Sequence, residues 1–306
     1  MSTRANEGSN VRSASRAPAE VPWTQRVYWL LLREVWENRS IYIAPLAAAA
    51  VVLFGFLLSL ITLPHRMRAV SFDTAKQRAL LEQPYQVAAG MIMVTAFVVG
   101  VFYSLEALHS ERRDRSILFW KSLPVSDLET VLAKASIPIL ILPLIAFLFL
   151  IATQWIMLLL NSAVLLASGE PLATLWSLPL FQRALMWLYH IVTVHGLWYA
   201  PFYGWLLLVS AWARRMTFLW AFLPPLAIGV AEKIAFNTSY FGAFMADWFM
   251  GGPAGGDPLM SAASMDLPSQ LTPGRFLTSP GLWIGFALAA VFLTLAVRLR
   301  RYRGPI

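Results

Sequence analysis

One stretch of this chain, Ser110–Lys134 (SERRDRSILFWKSLPVSDLETVLAK), is the longest charge-bearing segment between hydrophobic runs. It carries Glu111, Arg112, Arg113, Asp114, Arg115, Lys121, Asp127, Glu129 and Lys134. The chemistry that its spacing supports is helix capping. Ser126 and Glu129 stand in the S-x-x-E relation of a capping box, just after Pro124. The serine hydroxyl can accept the Glu129 amide and the Glu129 carboxylate the Ser126 amide. Asp127 adds negative charge to the first turn, where the helix dipole favours it. A helix started at a fixed point, in a loop between two membrane spans, is suited to transmitting force to another protein. A basic loop retained on the inner side for topological reasons alone has the same composition.

Other chemistry is thinly represented. There is no cysteine, hence no disulfide framework and no thiolate metal or redox site. The sequence contains no G-x-x-x-x-G-K-[ST] phosphate loop, no HExxH and no GxSxG. His190 and His195 fall in one apolar run. On an α-helix, residues five apart point about 140° away from each other, so a shared ligand is not expected and packing histidines are. Tyr189, Tyr199, Tyr203, Gln154 and Asn161 either line a polar path or bond across helices. Adjacent Glu232 and Lys233 point about 100° apart and read as anchors at a span end.

The elements that hold these residues are membrane spans. Of 306 residues, 58% are hydrophobic and 13% charged, against roughly 25% charged in a soluble domain. The net charge of +8 does not indicate nucleic acid, because the basic residues cluster at the ends of apolar runs. Residues 1–22 are polar and read as a disordered cytoplasmic tail. Residues 23–40 form an amphipathic helix in the membrane interface, with Tyr28, Leu31, Leu32, Val35 and Trp36 on one face and Arg26, Arg33 and Glu37 on the other. Residues 41–306 make the transmembrane domain. Six runs meet the length of a span: about 41–63, 87–105, 137–160, 184–212, 218–236 and 282–297. Gly196, Pro201 and Gly204 predict a kink in the fourth.

The loop 64–86 and the interfacial segment 168–183 lie outside. So does a Gly- and Pro-rich region at 237–280, whose apolar part Tyr240–Met250 suits a re-entrant helix. With the N-terminus inside, 17 of the 24 Lys and Arg residues fall on inner segments, which predicts two cytoplasmic termini. The expected fold is all-α: a polytopic membrane protein of six transmembrane helices with an N-terminal interfacial amphipathic helix.

The run E-R-x-x-x-S-I-L-x-x-x-x-L-P-V-S, followed by a lysine, resembles the first cytoplasmic loop of ABC-2 type transporter permeases. There the usual pattern is an acidic-basic pair, Gly-Thr or Gly-Ser, leucines, Leu-Pro-Val-Ser and Gly-Lys. Glu111, Arg112, Ser116, Leu118, Leu123, Pro124, Val125, Ser126 and Lys134 fit it. Arg115 and Ala133 stand where that pattern has glycine. The resemblance implies a permease subunit in the cell inner (plasma) membrane, exporting a lipid-like, antibiotic or other amphipathic substrate. It implies a partner permease copy, contact with membrane lipids, and a separate ATP-binding cassette subunit that holds ATP and Mg²⁺. This chain would then have no cofactor, metal or catalytic residue of its own, and no nucleic acid partner. Glu111, Arg112, Pro124, Val125, Ser126, Asp127 and Glu129 would couple it to the ATP-binding subunit. Two other classes stand beside this one. An intramembrane enzyme would need paired catalytic groups at membrane depth, for which His190 is the only start. A membrane anchor or sensor would need a signalling domain.

Overall fold

The computed structural model describes residues 22–70, 73–122, 125–169, 172–246, 248 and 276–306. The expected tail 1–22 (but for Pro22), Pro124 and the Gly-rich run 251–258 lie outside these residues. The described residues are helical throughout, joined by turns, and contain no strand. The helices are α1 (Trp23–Glu37), α2 (Ser40–Ala69), α3 (Thr74–Glu106), α4 (His109–Arg113), α5 (Ile117–Ser122) and α6 (Asp127–Ser136), then α7 (Leu142–Ala167), α8 (Ala173–Trp176), α9 (Leu180–His190) and α10 (Ala200–Trp212). They end with α11 (Thr217–Phe236), α12 (Tyr240–Ala246) and α13 (Pro280–Tyr302). Two π-helical segments, Ile137–Ile141 and Ile191–Trp198, join α6 to α7 and interrupt the path from α9 to α10.

Among the described residues, five helices are long and apolar enough to cross a membrane: Ser40–Ala69, Ala75–Arg113, Asp127–Ala167, Thr217–Phe236 and Pro280–Tyr302. The pair Leu180–Trp198 and Ala200–Trp212, bent by 47°, makes a sixth if it is one span. The bend sits at Tyr199, where the π-helix ends and Pro201 opens α10. Proline has no N–H to continue a ladder and fits a first turn. Gly204, expected to contribute to this kink, serves packing instead. A Cβ there would lie 3.4 Å from Phe292 Cβ and 3.5 Å from the Ala289 backbone, so α10 and α13 approach through it.

Helix ends differ from the hydropathy boundaries. α2 continues through Pro64 to Ala69, and α3 starts at Thr74, so the expected loop 64–86 is mostly two helix ends and a short turn. Hydropathy marks only the apolar middle of a helix, whereas Arg and Lys are good helix formers. Asp73 caps α3 by accepting the Lys76 amide at 3.0 Å, which lowers its pKa below the usual carboxylate value. In α11, Pro225 removes the partner of the Ala221 carbonyl; the Trp205 indole N–H donates to that oxygen at 3.0 Å. In the segment expected along an outer interface, Leu175 and Leu178 are buried against α3 and α7, while Trp176 and Phe181 remain exposed.

Part of α1 packs inward. Leu30 and Glu34 are its buried residues, and Tyr28, Trp29 and Trp36 are exposed. Helix α1 rests on α6; Leu31 and Val35 of the expected apolar face pack against the core, while Tyr28 and Trp36 of that face are exposed.

Candidate functional site

Helix α6 begins as its sequence dictates. Ser126 Oγ accepts the Glu129 amide at 3.1 Å, and Glu129 Oε2 accepts the Ser126 amide at 2.9 Å. It is not a detached loop helix, however. It runs through the π segment into α7, so that Asp127–Ala167 is a single span candidate. One side of it is buried, at Thr130, Val131, Ala133, Lys134 and Ala135.

Around that side lies a buried ion cluster. Lys134, at the end of α6, donates to Glu34 Oε1 of α1 at 2.8 Å and lies 3.2 Å from Glu111 Oε1 of α4. Arg300, near the end of α13, donates to Glu111 Oε2 at 2.9 Å and pairs with Asp127. Tyr103 of α3 donates its hydroxyl to Glu34 Oε2 at 2.8 Å. Glu34, Glu111, Lys134 and Arg300 are each at most 5% exposed. At the rim, Arg26 donates to Glu129 at 3.0 Å. Arg33 bonds Glu37 at 2.8 and 3.0 Å, and its guanidinium lies 3.2 Å from the Trp120 ring centre.

Five acids (Glu34, Glu37, Glu111, Asp127, Glu129) thus meet four bases (Arg26, Arg33, Lys134, Arg300). Burying a charge is costly unless it is paired and hydrogen-bonded. Pairing offsets much of that cost, although Glu111 Oε1 and the Nε atoms of Arg26 and Arg300 make no hydrogen bond, and the cluster joins five elements, α1, α3, α4, α6 and α13, at one end of the bundle.

Of the residues singled out from sequence, Glu111, Ser126, Asp127 and Glu129 converge here. Val125 precedes the cap and is partly buried; Pro124 is outside the described residues. Arg112 turns the other way, toward the end of α10, and donates to the Ala211 carbonyl at 2.7 Å. Glu34, Tyr103, Lys134 and Arg300, with Arg26 and Arg33 at the rim, are not among the residues expected at the site. A lone acid beside Leu30 and Leu31 was a usable signal for Glu34. Lys134 is seven residues, or about two helical turns, from Asp127. Nothing local marks Arg300 among the basic residues at the end of α13.

Arg115 adopts φ +60°. This left-handed region is the one glycine enters without steric cost. Arg115→Gly is therefore expected to be neutral or to stabilise by up to about 1 kcal/mol, read from thermal unfolding of the purified protein. Arg115→Val, β-branched, should destabilise.

His190 and His195 are not splayed. The π-helix repeats its hydrogen bonds every five residues, which brings the two rings to 6.0 Å between centres, edge to face. Among the described residues no group of three or more His, Cys, Asp or Glu could hold a metal ion. Glu232 accepts from Thr238 Oγ1 at 2.8 Å and from the amides of Tyr240 and Phe241 at 2.7 and 2.8 Å. It thereby ties the end of α11 to the start of α12. Asn161 donates to the Tyr85 hydroxyl at 3.2 Å, a bond across α7 and α3. Leu118, Phe119, Leu128 and Leu132, on α5 and α6 beside the ion cluster, are exposed.

No protein-family model, curated protein or solved structure matches the chain.

Proposed function

We propose that this chain is the permease subunit of an ABC-2 type transporter, driven by a separate ATP-binding subunit. The observation that carries the reading is the ion cluster. It joins the capped start of the Asp127–Ala167 helix to α1, α4 and the end of α13. A push on α5 and α6 is then delivered to several elements together. The exposed side chains Leu118, Phe119, Leu128 and Leu132 supply apolar surface for an ATP-binding partner. Arg115 at φ +60° supports the loop resemblance, because the backbone has the conformation that favours the family's glycine. In this reading both termini are cytoplasmic, and α1 lays Tyr28, Trp29 and Trp36 into the membrane interface. A second permease copy completes the pore, and the cargo is amphipathic.

The test is purification from the native membrane. An ATPase that copurifies supports the reading; turnover by the isolated chain would favour an intramembrane enzyme. Within such a complex, Ser126→Ala with Glu129→Ala removes the cap and the Arg26 pair. Loss of the cap costs about 0.5–2 kcal/mol, too little to prevent insertion. The expected result is normal membrane insertion with substrate-stimulated ATP hydrolysis reduced severalfold; full stimulation would refute the coupling role.

Orientation has its own check, clean because the chain lacks cysteine. Asp114→Cys is expected to react with an impermeant thiol reagent from the cytoplasmic side, and Lys76→Cys from the opposite side. The reverse pattern would overturn the topology.

A further inference from the structure

Arg112 occupies an environment opposite in kind to the ion cluster that Glu111, its neighbour in α4, enters. It is 4% exposed, and its guanidinium meets only backbone carbonyls: Ala211 at 2.7 Å, Ala213 at 3.4 Å and Gly304 at 3.4 Å. Arg303 donates to the intervening carbonyl, Trp212, at 2.7 Å. Arg214 follows Ala213 directly and is exposed. Three guanidinium-bearing residues therefore surround the end of α10, and among the described residues none of them makes an ion pair. The end of a helix supplies roughly half a negative charge, which cannot balance them. His109 also turns its Nδ1 to the Ala213 carbonyl, at 3.3 Å, and provides no negative charge. Trp212 and Trp220 sit edge to face at 4.8 Å at the same end of α10 and α11, both partly exposed. Such aromatic pairs favour the headgroup level of a bilayer.

We propose that Arg112, Arg214 and Arg303 form a binding site for a phosphate-bearing anion, supplied by the headgroup of an anionic phospholipid. The phosphate provides the missing negative charge. Arg112 is the fixed element, held by its carbonyl bonds, and Arg214 and Arg303 close on the ligand from the surface. Arginine suits this task because its planar fork matches phosphate oxygens. Basic pockets between membrane helices recognise headgroups by the same physics. The site is independent of any transport role.

The experiment titrates the purified full-length protein in detergent with phosphatidylglycerol, phosphatidylcholine and inorganic phosphate. Retained lipid is counted by native mass spectrometry and stability is read by thermal unfolding. Arg112 itself covers buried carbonyls, so the informative variants are Arg214→Gln and Arg214→Gln/Arg303→Gln. Arg66→Gln, at the end of α2, is the charge-matched control. Phosphatidylglycerol is expected to be retained and to raise the unfolding temperature. Each arginine removed should weaken its binding about fivefold, from about 1 kcal/mol per basic residue near a charged headgroup, while Arg66→Gln leaves it unchanged. Saturable protection by inorganic phosphate alone would reassign the source to a soluble phosphate. Equal retention of phosphatidylcholine, or equal losses in Arg66→Gln and Arg214→Gln, would overturn the site.

Discussion

Lys134→Met is expected to destabilise the protein by about 3–5 kcal/mol, the cost of breaking a buried ion pair from one side. Methionine fills much of the lysine volume, so the loss is electrostatic and not a cavity effect. Glu34 and Glu111 would be left facing each other without the ammonium that lies 2.8 and 3.2 Å from them. Glu34 would keep the Tyr103 hydroxyl and Glu111 would keep Arg300, which limits the damage but leaves excess buried negative charge. The companion Glu34→Gln removes one of the two carboxylates. The double variant Glu34→Gln/Lys134→Met should therefore be less destabilised than the sum of the single changes, by about 1 kcal/mol or more. Thermal unfolding in detergent measures all three. Because Lys134 secures α1 through Glu34, Lys134→Met should also speed protease cleavage between α1 and α2. Unchanged stability with unchanged cleavage would mean that the cluster holds nothing together.

Gly204→Leu is the second large effect. Gly204 packs at the crossing of α10 and α13, and even a Cβ there comes to 3.4–3.5 Å of Phe292 and Ala289. That contact is ordinary, so Gly204→Ala should be tolerated. The three further carbons of leucine have no space without moving a helix. Overpacking of this kind costs about 1–3 kcal/mol. It would also shift α13 and, with it, Arg300 in the ion cluster. The expected outcome is a lower unfolding temperature for Gly204→Leu and near-normal behaviour for Gly204→Ala. If the alanine variant fails as badly, backbone freedom at this position, and not the helix approach, is what matters.

These two positions mark the boundary between local and long-range information in the chain. Lys134 was visible as a basic residue after a capping box, and Gly204 as a glycine in a long span. Neither partner could be named, since Glu34 lies 100 residues from Lys134 and Ala289 is on the last helix. Helix bounds were legible to within the apolar segments, and failed where helices continue into charged residues, as at Pro64–Ala69 and Thr74–Gln86. The relative placement of the two histidines was not legible, because Ile191–Trp198 winds as a π-helix and not with the α-helical period.

The features legible from the residues alone are local and solvent-driven. Long apolar runs can be satisfied only by hydrogen bonding within a helix, so the all-helical character followed from composition. The capping box at Ser126 and Glu129 followed from four consecutive residues. Which charges are buried depends on packing between distant helices. A carboxylate on α1, another on α4, a lysine on α6 and an arginine on α13 are separately indistinguishable from surface charges. They become a cluster only when packing removes them from water, because a buried charge must meet its opposite there. Arg112 shows the same rule in reverse: one residue beyond Glu111, it turns to the other side of α4 and meets only carbonyls.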